Sequence, residues 1–411
     1  MHKKKTIFLL LILQLFFCFN LLMAQKDTSA LNIKMHLDSS NGKDLLDVYY
    51  HFFNKHNHPH ALKQNNKSNH YNTSFVPAVA YTSQTGVEID LSGNIGFYTS
   101  NQQETNLSTI IANLAYTSKN QILFPVQTNI WTKKNKFYLQ GDWGYYKFPE
   151  STYGLGGYTT EDQNNPVNDS YIHFYESVLK NISRNFFLGL GYQLDYHWNI
   201  VQAGNYDGTI SDFSKYGFNT SSISSGLTFN FLYDDRRNSI NPKKGFYANG
   251  TYRNNFYFLG SDNKAKSFKL DVRKYIKLNN HNNNVLAFWS YNWLSFGGKT
   301  PFLDLPSTGW DTYNNTGRGY VQSRFRGKDM LYFESEYRFG ISKNQLFGGV
   351  VFGNVESFTE TISNKFEKIL PAIGAGARIQ FNKHSRTNIA IDYAIGANGS
   401  NSLSINLGEV F

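Results

Sequence analysis

Histidine and arginine clusters are the features of this 411-residue chain that could carry chemistry. Imidazoles at short spacings can bind Zn²⁺ or Cu²⁺. One histidine cluster lies in a polar segment near the N-terminus and comprises His51, His56, His58, His60 and His70. The same segment is equally rich in Asn and Lys, so a polar stretch without metal explains the residues as well. We therefore predict no metal site.

Motifs for catalysis and for cofactor binding are missing from the sequence. It has no G-x-S-x-G elbow, no Walker loop, no H-E-x-x-H and no dinucleotide fingerprint. The stretch Gly154–Gly157 is better explained as a turn than as a phosphate-binding loop. We predict no enzyme and no cofactor. If the chain forms a barrel, a catalytic set in its lumen or at its rim, as outer-membrane lipases use, stays open as an alternative.

Composition and charge narrow the class of protein. The chain has 40 Lys+Arg and 30 Asp+Glu, which gives a formal charge of +10. No basic run follows residue 5, so we expect no nucleic-acid partner, and the excess suits loops, a polar lumen or anionic lipid headgroups. Aromatics reach 17% while the mean hydropathy is −0.45. A soluble β protein and a transmembrane β-barrel both fit these values, because alternation hides the apolar residues of a barrel.

The first 24 residues have the pattern of a secretory signal peptide. Lys3, Lys4 and Lys5 precede an apolar run from Ile7 to Phe19, and Ala24 offers a small residue for cleavage. The only cysteine, Cys18, lies inside this segment. We assign residues 1–24 to the signal peptide and residues 25–74 to a short polar periplasmic segment, partly disordered or plug-like.

From residue 75 to residue 411, apolar and polar side chains alternate with period two, which is typical of strands. Leu331, Phe333 and Tyr337 share one face, while Glu334 and Glu336 share the other. Polar faces of this kind suit a wet lumen. We count about 16 strands, an even number as in single-chain bacterial barrels. They begin near residues 76, 87, 106, 121, 136, 167, 184, 221, 245, 265, 283, 329, 343, 369, 386 and 401.

Three stretches go beyond this general texture. In the first, Asp234 and Arg236 share a face and could pair in the lumen, and Pro242 and Gly245 would build the following turn. The second is a long segment, 297–328, that contains Arg318–Gly319–Tyr320. A buried arginine requires a carboxylate, and Glu334 and Glu336 face the same lumen on the next strand.

The third stretch is the C-terminal tail. Leu403, Ile405, Leu407 and Phe411 fall on one face of an alternating last strand. A terminal aromatic in that position is typical of the assembly signal of outer-membrane barrels. We interpret Leu407 and Phe411 as such a signal, although any edge strand can end in phenylalanine.

Together these motifs resemble the bacterial surface antigen superfamily, the barrel type of the BamA and TamA outer-membrane assembly factors. The resemblance runs from about residue 75 to the C-terminus. It is most specific in Arg318–Gly319–Tyr320, in Asp234, Arg236, Pro242 and Gly245, in Glu334, Tyr337, Arg338 and Phe339, and in the tail.

The resemblance implies an all-β, 16-stranded antiparallel transmembrane barrel of outer-membrane type whose sixth extracellular loop folds into the lumen. Arg318, Gly319 and Tyr320 match the loop motif, and Glu336 is the best match for the inner-wall carboxylate, with Glu334 and Arg338 beside it. The seam between the first and last strands is expected to be weakly paired.

Two departures from the family pattern shape these expectations. Family members usually carry an Asp on the thirteenth strand that meets the loop arginine, whereas residues 348–354 here contain no acid. The loop lock is therefore expected to be weaker or to rest on Glu336 alone. The 50 or so residues before the barrel are also too few for a polypeptide-transport-associated (POTRA) domain, which weakens the case for an essential insertase.

The expected function is insertion or translocation of protein, or of lipid, at the outer membrane of a diderm bacterium. The alternative is a passive pore or a structural barrel that serves a separately encoded partner. Expected partners are outer-membrane lipid and either unfolded barrel clients or a periplasmic or surface protein, and the barrel itself is expected to be monomeric.

Overall fold

Strands form nearly all of the regular structure in the computed structural model, which describes residues 42–45, 47, 71–204, 211–217, 219–278, 284–383 and 386–411. The signal peptide assigned to residues 1–24 lies outside the described residues, and so does the histidine cluster His51, His56, His58, His60 and His70. The first strand begins at Tyr71, four residues before the expected boundary at 75.

Seventeen strands and one short helix are present in these described ranges, together with 3-10 turns at Lys133–Asn135, Glu161–Gln163, Tyr257–Leu259, Phe302–Asp304 and Ala397–Gly399. The helix is α1 (Asp212–Gly217). The strands are β1 (Tyr71–Thr82), β2 (Gly86–Phe97), β3 (Ser108–Thr117), β4 (Ile122–Trp131), β5 (Phe137–Lys147), β6 (Glu150–Thr152), β7 (Asn165–Ser183), β8 (Phe186–Gln202), β9 (Ser221–Asp234), β10 (Gly245–Asn255), β11 (Lys266–Lys277), β12 (Val285–Phe296), β13 (Asp329–Gly340), β14 (Phe347–Phe358), β15 (Leu370–Asn382), β16 (Thr387–Gly396) and β17 (Asn401–Leu407).

These strands make one closed antiparallel barrel. Each long strand pairs with its neighbours in chain order, and β1 returns to pair with β17. The short β6 pairs only with β7 and lies in a loop, so sixteen strands form the wall. The all-β, 16-stranded antiparallel barrel expected from the sequence is confirmed. Among the described residues, no helix has the length and apolar character that a membrane-crossing helix needs.

Period-two alternation decides which side chains face outward. On β2, Val87, Ile89 and Leu91 are 49%, 65% and 50% exposed on the outer surface. On β13, Glu334 and Glu336 point inward and are buried. A barrel in lipid requires this arrangement, because acyl chains cover the apolar face and the lumen holds the polar one.

The two ends of the barrel differ in the length of their connections. Residues 184–185 make a tight turn at the end where β7 meets β8, whereas residues 297–328 join β12 to β13 at the opposite end. Short periplasmic turns and longer extracellular loops are the rule in such barrels. The segment 297–328 is therefore the sixth extracellular loop, and we call it loop 6.

The seam between the first and last strands is the weakest pairing in the wall. Only Tyr81 and Thr82 of β1 pair with β17, opposite Ile405 and Ser404, at the extracellular end. By contrast, β1 pairs with β2 at twelve positions and β16 pairs with β17 at seven. In the part of the chain that the structure describes, no ladder pairing joins residues 71–80 to the last strand.

A short part of the N-terminal segment lies against the periplasmic turns. The Lys43 amide donates a hydrogen bond of 2.8 Å to the Asn344 carbonyl, in the turn between β13 and β14. Asp44 is 2% exposed and accepts a hydrogen bond of 3.0 Å from the Lys383 amide. Lys383 also forms an ion pair of 2.7 Å with Asp47. These contacts hold Lys43, Asp44 and Asp47 to the turns beside β14 and β15.

Candidate functional site

Loop 6 carries Arg318 into the lumen. The backbone of Gly317 and Gly319 on either side has φ of +79° and +109°, values that favour glycine because it has no Cβ. The guanidinium carbon of Arg318 lies over the ring of Phe352, 3.4 Å from the ring centre. Its side chain is 7% exposed. A charge so buried must be neutralised where it lies.

Three carboxylates neutralise Arg318. It pairs with Glu334 and Glu336 of β13, and it donates a hydrogen bond of 3.1 Å to Asp392 of β16. Asn354 of β14 donates a hydrogen bond of 2.9 Å to the Arg318 carbonyl. The arginine therefore connects loop 6 to three strands of the inner wall.

The ion pairs continue beyond Arg318 into a closed ring of alternating charge. The ring runs Arg318, Glu336, Arg338, Glu409, Arg378, Asp392 and back to Arg318. Its links include 2.5 Å between Glu336 and Arg338, 2.8 Å between Glu409 and Arg378, and 2.6 Å between Arg378 and Asp392. One ring therefore joins loop 6, β13, β15, β16 and the C-terminal tail.

Gly319 and Tyr320 attach the loop to the last strands. The Gly319 amide donates a hydrogen bond of 2.9 Å to the Ser402 hydroxyl on β17. The Tyr320 hydroxyl donates one of 2.7 Å to the Pro371 carbonyl and accepts one of 2.8 Å from the Ala397 amide. A Cβ on Gly319 would meet the Ala372 side chain and the backbone of Gly396. Loop 6 is therefore attached to the last strands of the chain, which lie on the C-terminal side of the seam.

We expected a loop lock that is weaker or that rests on Glu336 alone, and the second alternative does not describe the contacts of Arg318. Asp392 and Glu334 share Arg318 with Glu336. The stretch 348–354 contains no acid, but Glu356 lies two residues further along β14, points inward, and accepts a hydrogen bond of 3.0 Å from Thr308 of loop 6. Alternation along β16 already placed Asp392 on the inner face, and that signal could have identified it.

The C-terminal tail differs from the expectation that Phe411 continues the outward row of Leu407. The chain turns at Gly408, where φ is +105°, and the last residues enter the lumen. Leu407 is 50% exposed on the outer face, whereas Phe411 is 3% exposed. Phe411 packs between Trp289 and Tyr275, with ring centres 5.2 and 6.2 Å away, because an aromatic pocket is present inside the wall. Its carbonyl accepts a hydrogen bond of 2.6 Å from Arg338.

The turn motif lies at the periplasmic end. Asp234 ends β9, and Arg236 donates three hydrogen bonds to its carboxylate, of 2.9 and 2.8 Å from the guanidinium and of 3.0 Å from the backbone amide. The Arg236 guanidinium stacks on Tyr247, 4.2 Å from the ring centre. Gly245 begins β10 with φ of +132°, three residues after Pro242. This motif contacts none of the members of the charge ring among the described residues.

The outer part of loop 6 has its own anchors. Asp304 contacts His197 of β8 at 3.1 Å and accepts a hydrogen bond of 2.5 Å from Ser224 of β9. Arg326 is 3.5 Å from Glu150 and donates to the Phe302 carbonyl at 3.0 Å. Burial lowers the pKa of Arg326, against the opposing effect of Glu150. The loop is thus held at two heights, at the rim and in the lumen.

Across the described ranges, no group of three or more His, Cys, Asp or Glu side chains has the arrangement of a metal site. His197 has both ring nitrogens engaged, by Asp169 at 2.7 Å and by Asp304 at 3.1 Å. Its imidazole is therefore occupied in holding loop 6.

A closed antiparallel barrel of sixteen strands, with an arginine of loop 6 inside it, places the chain in the class of outer-membrane β-barrels. The sequence model of the Omp85 superfamily domain matches residues 150–411. The chain belongs to the Omp85 superfamily. No curated protein matches the sequence.

Solved structures show the same fold. BamA from Haemophilus ducreyi lacking POTRA domains 1–3 is similar at a TM-score of 0.55 and 16% identity, over 82% of this chain and 70% of that one. CdiB from Acinetobacter baumannii gives 0.52 and 11%, over 82% and 60%. CdiB from Escherichia coli gives 0.50 and 7%, over 82% and 67%. This chain thus spans less than two thirds of the Acinetobacter CdiB chain.

Proposed function

We propose that this barrel acts in the insertion or translocation of protein at the outer membrane, with the seam between β1 and β17 as the place where a client strand enters. The observation that carries the proposal is the two-residue pairing of that seam. The family and the BamA- and CdiB-like fold support the same class of activity.

An unpaired strand edge is a template for another strand. Residues 71–80 of β1 present backbone groups toward the seam without a ladder partner in the described chain. A client strand can add to such an edge through main-chain hydrogen bonds, which need no particular sequence. The inward turn of the tail at Gly408 favours the addition of a client strand, because this turn leaves the periplasmic half of the seam without a partner from β17.

In this proposal the contacts of loop 6 position the strands beside the seam, and they do not act chemically on a substrate. Arg318, Gly319 and Tyr320 join loop 6 to β13, β15, β16 and β17, all on one side of the seam. We assign to them, with Glu334, Glu336, Arg338 and Asp392, the role of holding those strands in register. Movement of loop 6 would then change the edge that meets β1.

A passive pore or a structural barrel for a partner is the second candidate function. A pore needs an open lumen, whereas loop 6 and the tail enter this one. Conduction by the reconstituted wild type, sensitive to inward charges, would favour the pore. Absence of conduction, together with faster folding of a client, would favour the entry of client strands at the seam.

A seam disulfide tests the proposal. Tyr81→Cys and Ile405→Cys are directly opposite each other and would lock the seam when oxidised, in a background with Cys18→Ser. The protein in liposomes is given a small unfolded barrel client, and the folding of the client is timed by protease resistance. We expect acceleration over empty liposomes by the reduced variant and none by the oxidised one.

A matched disulfide controls for rigidity. Tyr393→Cys and Leu403→Cys join β16 to β17, which already pair at seven positions. Oxidation of that pair should leave the client rate unchanged. Equal rates for the oxidised and reduced seam variants would contradict the seam as entry site, and no acceleration by wild type would contradict insertion of this client.

A further inference from the structure

A proline lies in the middle of the strand whose edge is open at the seam. Pro77 belongs to β1 and pairs with Leu91 in the ladder to β2. Proline has no backbone N–H, so one ladder position beside it lacks a donor. Whether β2 or the seam loses that donor depends on the direction in which the backbone of Pro77 points.

The ladder from β2 to β3 fixes that direction. The Val87 amide donates a hydrogen bond of 3.0 Å to the Ser118 hydroxyl, and the Val87 carbonyl accepts one of 2.8 Å from the Ser118 amide, so the backbone of Val87 points to β3. In an antiparallel ladder, successive residues point their N–H and C=O alternately to the two neighbouring strands. The ladders on both sides of β2 have a constant register, so its even-numbered residues point to β1. They face the even-numbered residues of β1, and the odd-numbered ones, Pro77 included, therefore point to the seam.

The last strand gives the same result from the other side of the seam. The Gly408 amide donates a hydrogen bond of 2.7 Å to the Asn388 carbonyl, so the even-numbered residues of β17 point to β16 and the odd-numbered ones point to the seam. Ile405 and Tyr81, which lie opposite each other in the seam, therefore point toward each other. The missing donor of Pro77 thus lies on the open edge of β1, on the periplasmic side of the paired part.

A second proline shows what a missing donor does to a ladder of this barrel. The Thr117 amide donates a hydrogen bond of 3.1 Å to the Gln121 carbonyl, so the odd-numbered residues of β4 point to β3, and Pro125 is one of them. The ladder between β3 and β4 is interrupted there, because it reaches Val126, leaves two positions unpaired and resumes at Leu123. On the other side, β4 pairs with β5 without a break. A proline therefore interrupts the ladder on the side to which its nitrogen points.

Pro77 separates two parts of the β1 edge. On its extracellular side lies the short pairing with β17. On its periplasmic side, Tyr71, Thr73 and Phe75 each point an N–H and a C=O to the seam, by the parity established above. A strand that pairs alongside finds no donor for its own carbonyl opposite Pro77, and in lipid no water replaces that donor. A ladder that grows along β1 from the periplasmic end is therefore expected to stop after Phe75.

We propose that Pro77 sets how far a client strand pairs with β1, so that the client is confined to Tyr71–Phe75 and β17 keeps its pairing at the extracellular end. This inference rests on the function proposed above, because it locates the client within the seam. Pro77 is a positioning residue, since its effect comes from a donor that it lacks. The seam thus stays paired at the outer surface while its periplasmic end accepts a strand.

Disulfides to a client map its position on β1. In a Cys18→Ser background, Thr73→Cys, Phe75→Cys and Val79→Cys each place one thiol in the exposed outward row of β1. Each protein in liposomes is given the small unfolded barrel client, carrying single cysteines at successive positions of its last strand, and is then oxidised. We expect the disulfide yield, summed over the client positions, to be at least five-fold higher at residues 73 and 75 than at residue 79.

Restoring the donor tests the role of Pro77 itself. Pro77→Val, combined with Val79→Cys, should raise the disulfide yield at residue 79 at least five-fold, because the client can then pair past residue 77. Pro77→Ala supplies the same N–H with a smaller side chain and should act alike. Pro125→Val is the matched control, since it adds an N–H within the wall, away from the seam, and should leave that yield unchanged. Heat-modifiable migration on gels checks that each variant is a folded barrel.

The outcomes separate this inference from the proposed function. A yield at residue 79 that equals or exceeds those at residues 73 and 75 while Pro77 is present would overturn the role of Pro77 and leave the seam as the entry site. The same holds for a yield at residue 79 that neither Pro77→Val nor Pro77→Ala changes, or that Pro125→Val raises equally. Disulfides at none of the three positions would contradict the seam as the entry site and the role of Pro77 with it.

Discussion

Arg318 and Asp392 lie 74 residues apart in the chain and are joined in the lumen by a hydrogen bond of 3.1 Å. Asp392 also accepts hydrogen bonds from Arg378, at 2.6 and 3.2 Å. A single carboxylate thus serves both the loop and the wall. Because both arginines depend on it, a change in the loop should be felt along β16, next to the strand that forms the seam.

Arg318→Ala should release loop 6. It leaves Glu334, Glu336 and Asp392 buried without their shared cation, a loss of about 3–5 kcal/mol when one partner of a buried pair is removed. We expect poorer assembly, higher ion conduction, and new trypsin cleavage after Arg324 and Arg326, which are 1% exposed in the intact protein.

Arg237→Ala is the control for the loss of Arg318, because Arg237 is exposed at the periplasmic end. It should assemble and conduct as wild type does. Wild-type conduction and an uncleaved loop 6 in Arg318→Ala would show that the arginine does not hold the loop.

Gly319→Ala should displace the loop motif by adding a single methyl group. The substitution forces a positive φ on alanine, which costs about 1–3 kcal/mol, and it also pushes the new Cβ against Ala372. Overpacking of this kind adds about 1–3 kcal/mol. The free energy of unfolding, measured by urea titration in lipid, should fall by the sum.

Gly399→Ala isolates the backbone part of that effect. Gly399 has φ of +81° and open space where its Cβ would lie. The free energy of unfolding of Gly399→Ala should fall only by the backbone contribution, without the part from overpacking. Equal losses for the two glycines would mean that the contact between Gly319 and Ala372 does not restrict the loop.

Phe411→Ala separates a structural role from an assembly signal. Removal of the ring between Trp289 and Tyr275 should lower the free energy of unfolding of the refolded barrel by about 3–5 kcal/mol, because it leaves a cavity. Leu407→Ala, on the outer surface, should change that quantity little.

Assembly in cells gives the other half of this test. If the two residues also form an assembly signal, both variants should accumulate less in the outer membrane, whatever their stability in vitro. A Phe411→Ala protein that is as stable as wild type when refolded from the pure state would argue against the lumenal packing.

Asp304→Ala should loosen the rim anchor and leave the lumenal one. It removes the contacts to His197 and Ser224. We expect trypsin to cut after Lys299, which is exposed near the start of loop 6, faster than in wild type, with Arg324 and Arg326 still protected. Cleavage after all three at once would mean that the two anchors open together.

The strand pattern could be predicted from the sequence alone. Predicted starts at 221, 245, 329 and 401 are the observed starts of β9, β10, β13 and β17. Period two is a local property, so it also assigned Glu334 and Glu336 to the lumen. The prediction was less accurate for other strand starts: β1 begins at residue 71 rather than 76, and β14 begins at residue 347 rather than 343. Turn geometry, and not alternation, decides where a strand begins.

Only the folded chain decided which inward groups meet. Arg318, Asp392 and Glu409 come from a loop, a strand and the tail, and closure of the barrel is what brings them into one ring. The path of Phe411 depends on a pocket built by β11 and β12, which no pattern in the last ten residues records. The sequence by itself therefore determined the alternating strands and the loop motif, since both depend on near neighbours. Tertiary structure decided the partners, because they are set by contacts between residues that are distant in the chain.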